Sequence, residues 1–110
     1  AVEEEEWAWE GARGRLEAGG VAVPAEFVCP ITMEIMADPV VLTDGHVYER
    51  RAIERWLRGH ATSPKTNRAV DPGRLVPCHP LRAIIADFLA RHAPLLGEGA
   101  EGAGGEGGGW

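Results

Sequence analysis

Residues 23–50 read VPAEFVCPITMEIMADPVVLTDGHVYER, and the change of character within this stretch decides the fold. The first half carries Pro24, Pro30 and Pro39 and no apolar period long enough for a helix. It is predicted as an irregular loop anchored by Phe27, Ile31, Ile35 and Met36, stiffened where Pro30 and Pro39 fix φ. The second half switches to strand formers, Val40-Val41-Leu42. Asp44-Gly45 is then a strong hairpin-turn signal, and Val47-Tyr48 makes the return strand.

Downstream, residues 49–60 place Ala52, Ile53, Trp56 and Leu57 on one face, which predicts a helix from about Glu49 to Arg58 with Gly59 as its terminator. Residues 61–80, ATSPKTNRAVDPGRLVPCHP, hold four prolines and read as a second irregular loop. Its apolar anchors are Val70, Leu75 and Val76, with Val70 a candidate third strand. Leu81, Ile84, Ile85, Phe88 and Leu89 then follow a helical period, with Pro80 suited to the first turn and Pro94 as the stop. The fold class is α+β: two long loops, a short β-hairpin or three-stranded sheet, a central helix and a C-terminal helix. Loops this long in a compact domain are tied down or functional.

Charge and glycine divide the 110 residues into three. The formal net charge is −6. Residues 1–20 hold six Glu against two Arg, and residues 97–110 hold three Glu and no base. The stretch between is nearly balanced and contains all eight prolines. Residues 1–20 are therefore expected to be an acidic, flexible segment, with a short helix around Trp7, Trp9 and Leu16 weakened by its glycines. Residues 21–96 are the folded domain, and 97–110 a disordered Gly/Glu-rich tail. No basic face suits nucleic acid, and no apolar run or signal-peptide pattern suits a membrane.

A folded part of this size has a marginal core, so staples are a natural question. Cys29, Cys78 and the four histidines show no CxxC or HxxxH spacing, and Cys78-His79 are adjacent, a poor chelating geometry. Neither zinc nor any other cofactor is expected. Free thiols are favoured over a Cys29–Cys78 disulfide, and Cys29 reads as a small buried hydrophobe.

The ordered residues resemble the U-box family. The match runs from Val23-Pro24 through Phe27, Cys29-Pro30-Ile31-Thr32, Glu34-Ile35-Met36, Asp38-Pro39-Val40-Val41, Gly45, Tyr48-Glu49-Arg50, Ile53 and Trp56-Leu57. It continues through Ser63-Pro64-Lys65-Thr66-Asn67 and Leu75-Val76-Pro77 to Leu81-Arg82 and Phe88-Leu89. The resemblance implies a RING-like backbone in which polar networks replace zinc; Asp38, Glu49, Arg50, Thr66 and His79 are the candidates. The family usually has Asn where this chain has His79, so bracing that weakens at acidic pH is expected there.

The resemblance further implies a ubiquitin-ligase module without a catalytic residue. Its partner is a ubiquitin-conjugating enzyme charged with ubiquitin, bound by Ile31, Met33, Trp56, Pro64 and Lys65. Apart from the resemblance, a core role is the alternative for Ile31 and Trp56, and turn stiffening the alternative for Pro64. Asn67 occupies the position where many active members place an Arg that steadies ubiquitin; Arg68 is the neighbouring substitute. The alternative is a non-catalytic scaffold or dimerisation module, with a homodimer as a candidate assembly. Substrates are expected to be recruited by other domains, and the location to be intracellular, cytoplasmic or nuclear.

Overall fold

The computed structural model describes residues 9–96; the expected tail over 97–110 and the first eight residues lie outside that range. The elements are helix α1 (Ala12–Ala18), a 3-10 turn (Ala25–Phe27), strands β1 (Pro39–Val41) and β2 (Val47–Glu49), helix α2 (Arg50–Gly59), strand β3 (Val76–Pro77), helix α3 (His79–Arg91) and a short α4 (Ala93–Leu96). The strands form one antiparallel sheet in the order β2-β1-β3. Val40 lies opposite Tyr48 on one side and Pro77 on the other. The hairpin turns where expected. Gly45 donates its N–H to Leu42 O (2.9 Å) and adopts φ 84, a conformation that favours glycine.

The core gathers on one side of this hairpin. Ile35, Met36, Val40, Leu42, Tyr48 and Ile53 are buried together with Ile85 and Leu89 of α3. Phe88 meets Phe27 edge to face at 5.2 Å.

Four sequence expectations change. The third strand is Val76–Pro77; Val70 instead donates its N–H to Ala61 O (3.0 Å) within the second loop. Pro77 is tolerated because β3 is an edge and its missing N–H leaves no ladder bond unmade inside the sheet. Pro94 does not stop the C-terminal helix. That helix ends at Arg91, and Pro94 lies in the first turn of α4, where a helix N–H has no partner to lose. Ile84, counted with the apolar face of α3, is 55 % exposed.

Residues 9–20 are the fourth and largest change: they fold onto the domain. Ala12 and Leu16, one turn apart, are buried, and α1 packs on α4. Gly14 is tolerated within the helix, while Gly19 and Gly20 end it. Gly20, at φ 86, donates to Glu17 O while Val21 donates to Leu16 O, the pairing that closes a helix C-terminus.

Candidate functional site

Each long loop contains a short bridged hairpin, and the two share one construction. In the first, Val28 bridges Ile35, Cys29 N–H donates to Glu34 O (2.9 Å) and Met33 N–H donates to Cys29 O (2.8 Å). In the second, Thr62 bridges Ala69, Ser63 N–H donates to Arg68 O (2.8 Å) and Asn67 N–H donates to Ser63 O (2.8 Å). Met33 and Asn67 occupy the same left-handed position, at φ 62 and φ 64. Cys29 Sγ accepts the Ile31 N–H (3.4 Å) as Ser63 Oγ accepts that of Lys65 (3.0 Å). Thr32 Oγ1 accepts from Glu34 N–H (3.1 Å) as Thr66 Oγ1 accepts from Arg68 (3.2 Å). These loops were predicted irregular. The signal that could have exposed them is the echo of Cys-Pro-x-Thr (29–32) in Ser-Pro-x-Thr (63–66). A small capping side chain followed by proline, which needs no N–H partner and fixes φ, is turn chemistry.

The same two capping residues dock the loops onto the hairpin. Cys29 is fully buried, and its Sγ also accepts the N–H of Glu49 (3.3 Å). Ser63, 1 % exposed, donates its hydroxyl to Asp44 Oδ2 at 2.6 Å. Tyr48 OH donates to the same oxygen at 2.6 Å, and Asp44 Oδ1 accepts the His46 N–H at 2.9 Å. Burial alone would raise the Asp44 carboxyl, but the bonds from Ser63, Tyr48 and His46 outweigh it and hold the group below its ordinary value. Burial and the hydrogen bond to Asp44 push the Tyr48 hydroxyl up to about 12. Asp44 read only as a turn residue because its partners at 48 and 63 share no local pattern with it.

The candidate network residues divide. Glu49, 6 % exposed, accepts N–H bonds from Ala37 (2.6 Å) and Asp38 (3.2 Å). Burial raises its pKa despite those donors. Arg50 Nε pairs with Asp38 Oδ2 at 2.7 Å; both side chains are about one-third exposed, so the pair contributes only about 1 kcal/mol or less. Thr66 serves its own turn. His79 is the correction: it is the exposed first residue of α3, and its side chain makes no hydrogen bond or ion pair among the described residues.

Of the candidate binding residues, Met33 is 54 % exposed, while Ile31, Trp56 and Pro64 are half-buried and Lys65, Asn67 and Arg68 exposed. Trp56 is not a free surface anchor. Its Nε1–H donates to Thr62 O at 2.7 Å, and one indole face stacks on His60 at 3.7 Å and 7°. The first loop is thus held through Cys29 to Glu49, the end of β2 and N-cap of α2, and the second through Thr62 to Trp56 within α2. Among the described residues no three His, Cys, Asp or Glu side chains converge as metal ligands. No helix among those residues is long and apolar enough to cross a membrane. The buried Cys29 cannot meet an incoming thioester. The arrangement suits a rigid binding surface rather than a nucleophilic site.

The sequence model of the U-box domain matches residues 23–94. U-box domain-containing protein 54 of Arabidopsis thaliana is 52 % identical over 68 residues, covering 61 % of this chain and 22 % of that protein. U-box domain-containing protein 57 of Oryza sativa subsp. japonica is 47 % identical over 78 residues, 70 % of this chain and 15 % of that protein. The chain thus spans about a tenth to a fifth of the curated relatives it matches. Among solved structures, the RING finger-like domain of Retinoblastoma Binding Protein-6 aligns with a TM-score of 0.56 and 30 % identity, covering 61 % of this chain and 77 % of that one.

Proposed function

We propose, from the premise that the chain belongs to the U-box domain family, that it is a ubiquitin-ligase module binding a ubiquitin-charged conjugating enzyme through its two loops. The observation that carries the reading is the anchoring of one hairpin loop at Glu49, the N-cap of α2, and of the other at Trp56 of α2, with Ile31 and Met33 in the first, Pro64 and Lys65 in the second, and Trp56 on the helix itself. A RING-like groove needs an apolar contact from each of those three places. Trp56 contributes area at low entropy cost, and its bond to Thr62 and its stack on His60 fix the ring before a partner arrives.

Such a module forms no covalent intermediate. The attacking substrate lysine and the thioester both lie outside it, and its gain is proximity and the holding of a reactive pose. Asn67 and Arg68 sit where ubiquitin would be steadied. Asn67 lacks the forked, charged contact an arginine offers, so its contribution there is smaller. Substrates are recruited by parts of the longer protein, and an intracellular setting belongs to the same proposal.

The test is single-turnover discharge of a charged conjugating enzyme to free lysine. Wild type accelerates discharge; Ile31→Ala and Trp56→Ala lose most of it while remaining folded by circular dichroism. Binding without any acceleration by wild type selects the scaffold reading instead. Self-modification is a poor readout, because Lys65 is the sole lysine in the sequence and lies within the proposed interface.

A further inference from the structure

The two hairpin loops differ in one respect that their common construction makes visible. Both need a left-handed residue at the turn. The second supplies Asn67, a residue type that tolerates that conformation. The first supplies Met33, an unbranched apolar residue for which it is unfavourable. Among the described residues, Met33 is the one of these two left-handed residues that takes a hydrogen bond from outside its own loop. Arg13 Nη1 donates to Met33 O at 3.0 Å, and Gly11 N–H donates to Glu34 Oε1 at 3.2 Å. Arg13 is itself steadied by Glu17 one turn on, with Nε to Oε2 at 3.3 Å. Helix α1 is also anchored independently of Arg13: Leu16 is fully buried, and the approach to α4 is so close that a Cβ on Gly19 would lie 2.9 Å from Leu95.

We propose that residues 9–20, which precede the matched family residues, clamp the first loop in its left-handed turn, with Arg13 as the positioning residue that presents Met33 and Ile31 to the conjugating enzyme. Arg13 touches no partner itself; it acts through the Met33 carbonyl. The clamp rests on the conjugating-enzyme reading for its purpose, but not for its existence.

The experiment uses the full chain and two readouts. Amide hydrogen exchange is followed at Met33 and Cys29 in the first loop and at Asn67 and Ser63 in the second. A charged conjugating enzyme is titrated in parallel. Arg13→Ala raises exchange at Met33 and Cys29 about fivefold, the worth of one hydrogen bond of ordinary net strength, and leaves Asn67 and Ser63 unchanged. It weakens conjugating-enzyme binding by a similar factor. Arg13→Lys, which keeps one donor, recovers most of both. Equal increases in both loops, or no increase in the first, overturn the clamp. Should the wild type bind no conjugating enzyme, the proposed function falls while the exchange comparison still decides the clamp. Faster exchange with unaltered binding removes Arg13 from any positioning role.

Discussion

Asn67→Arg sets the backbone against the proposed chemistry, and the structure gives both a sign. Asn67 lies at φ 64 with its side chain exposed and without a hydrogen bond among the described residues. Replacing it removes no side-chain contact; the cost is the left-handed conformation alone. Asparagine is several-fold enriched there over ordinary residues, which corresponds to about 1 kcal/mol. For a domain of this size that lowers Tm by about 4–8 °C. Asn67→Ala carries the same cost, and Asn67→Gly close to none. Thermal and urea unfolding of the three variants measures it. The arginine also restores a forked, charged donor beside the proposed ubiquitin position, so lysine discharge rises several-fold when assayed well below both transitions. A variant both less stable and more active is the expected outcome. An Asn67→Arg protein as stable as wild type refutes the backbone argument. Discharge equal to or below wild type refutes the assignment of this position to ubiquitin.

Stability should peak at mildly acidic pH, and two substitutions isolate the cause. The Glu49 pKa is raised, so its contribution is complete below the ordinary value near 4.5 and is lost as pH rises through the folded value. That of Asp44 is lowered, so its contribution is complete above the ordinary 3.8 and is lost as pH falls through the folded value. Glu49→Gln removes the fall in Tm on the neutral side, Asp44→Asn reduces the fall on the acid side, and slopes indistinguishable from wild type contradict both. Asp44→Ala removes the charged acceptor shared by the Ser63 and Tyr48 hydroxyls, leaving them only their weaker 3.5 Å contact with each other, and costs about 3 kcal/mol in urea unfolding; less than about 1 kcal/mol would mean the cluster does not brace the second loop. Trp56→Phe keeps most of the ring but loses the donor to Thr62 O, costing about 1 kcal/mol and weakening conjugating-enzyme affinity in a titration; unaltered stability would separate Trp56 from the loop.

Legibility followed sequence distance. The hairpin around Asp44-Gly45 was readable because the turn and the strands it joins lie within a dozen residues. Helix α2 was readable because Ala52, Ile53, Trp56 and Leu57 declare its period. A short helix around Leu16 is suggested by the sequence, but its docking is not, because Ala12 and Leu16 are buried beside α4, some 80 residues later. Val70 and Val76 are equally good strand formers, and only the packing of β3 on β1 chose between them. His79 matches an asparagine in the family pattern, but at the exposed start of α3 its side chain has no hydrogen-bond partner among the described residues.

A small α+β domain of the U-box kind is legible in the amino-acid sequence, because periodicity, turn chemistry and an ordered series of motif residues are local properties. The absence of CxxC and HxxxH spacing is legible there too. How the loops are held in place is settled only by the packing. Cys29 reaches Glu49, Ser63 reaches Asp44, Trp56 reaches Thr62 and Arg13 reaches the Met33 carbonyl. A donor's residue type says that it must find an acceptor when buried; which acceptor it finds is set by how the helices and hairpin pack, and packing is a property of the whole chain.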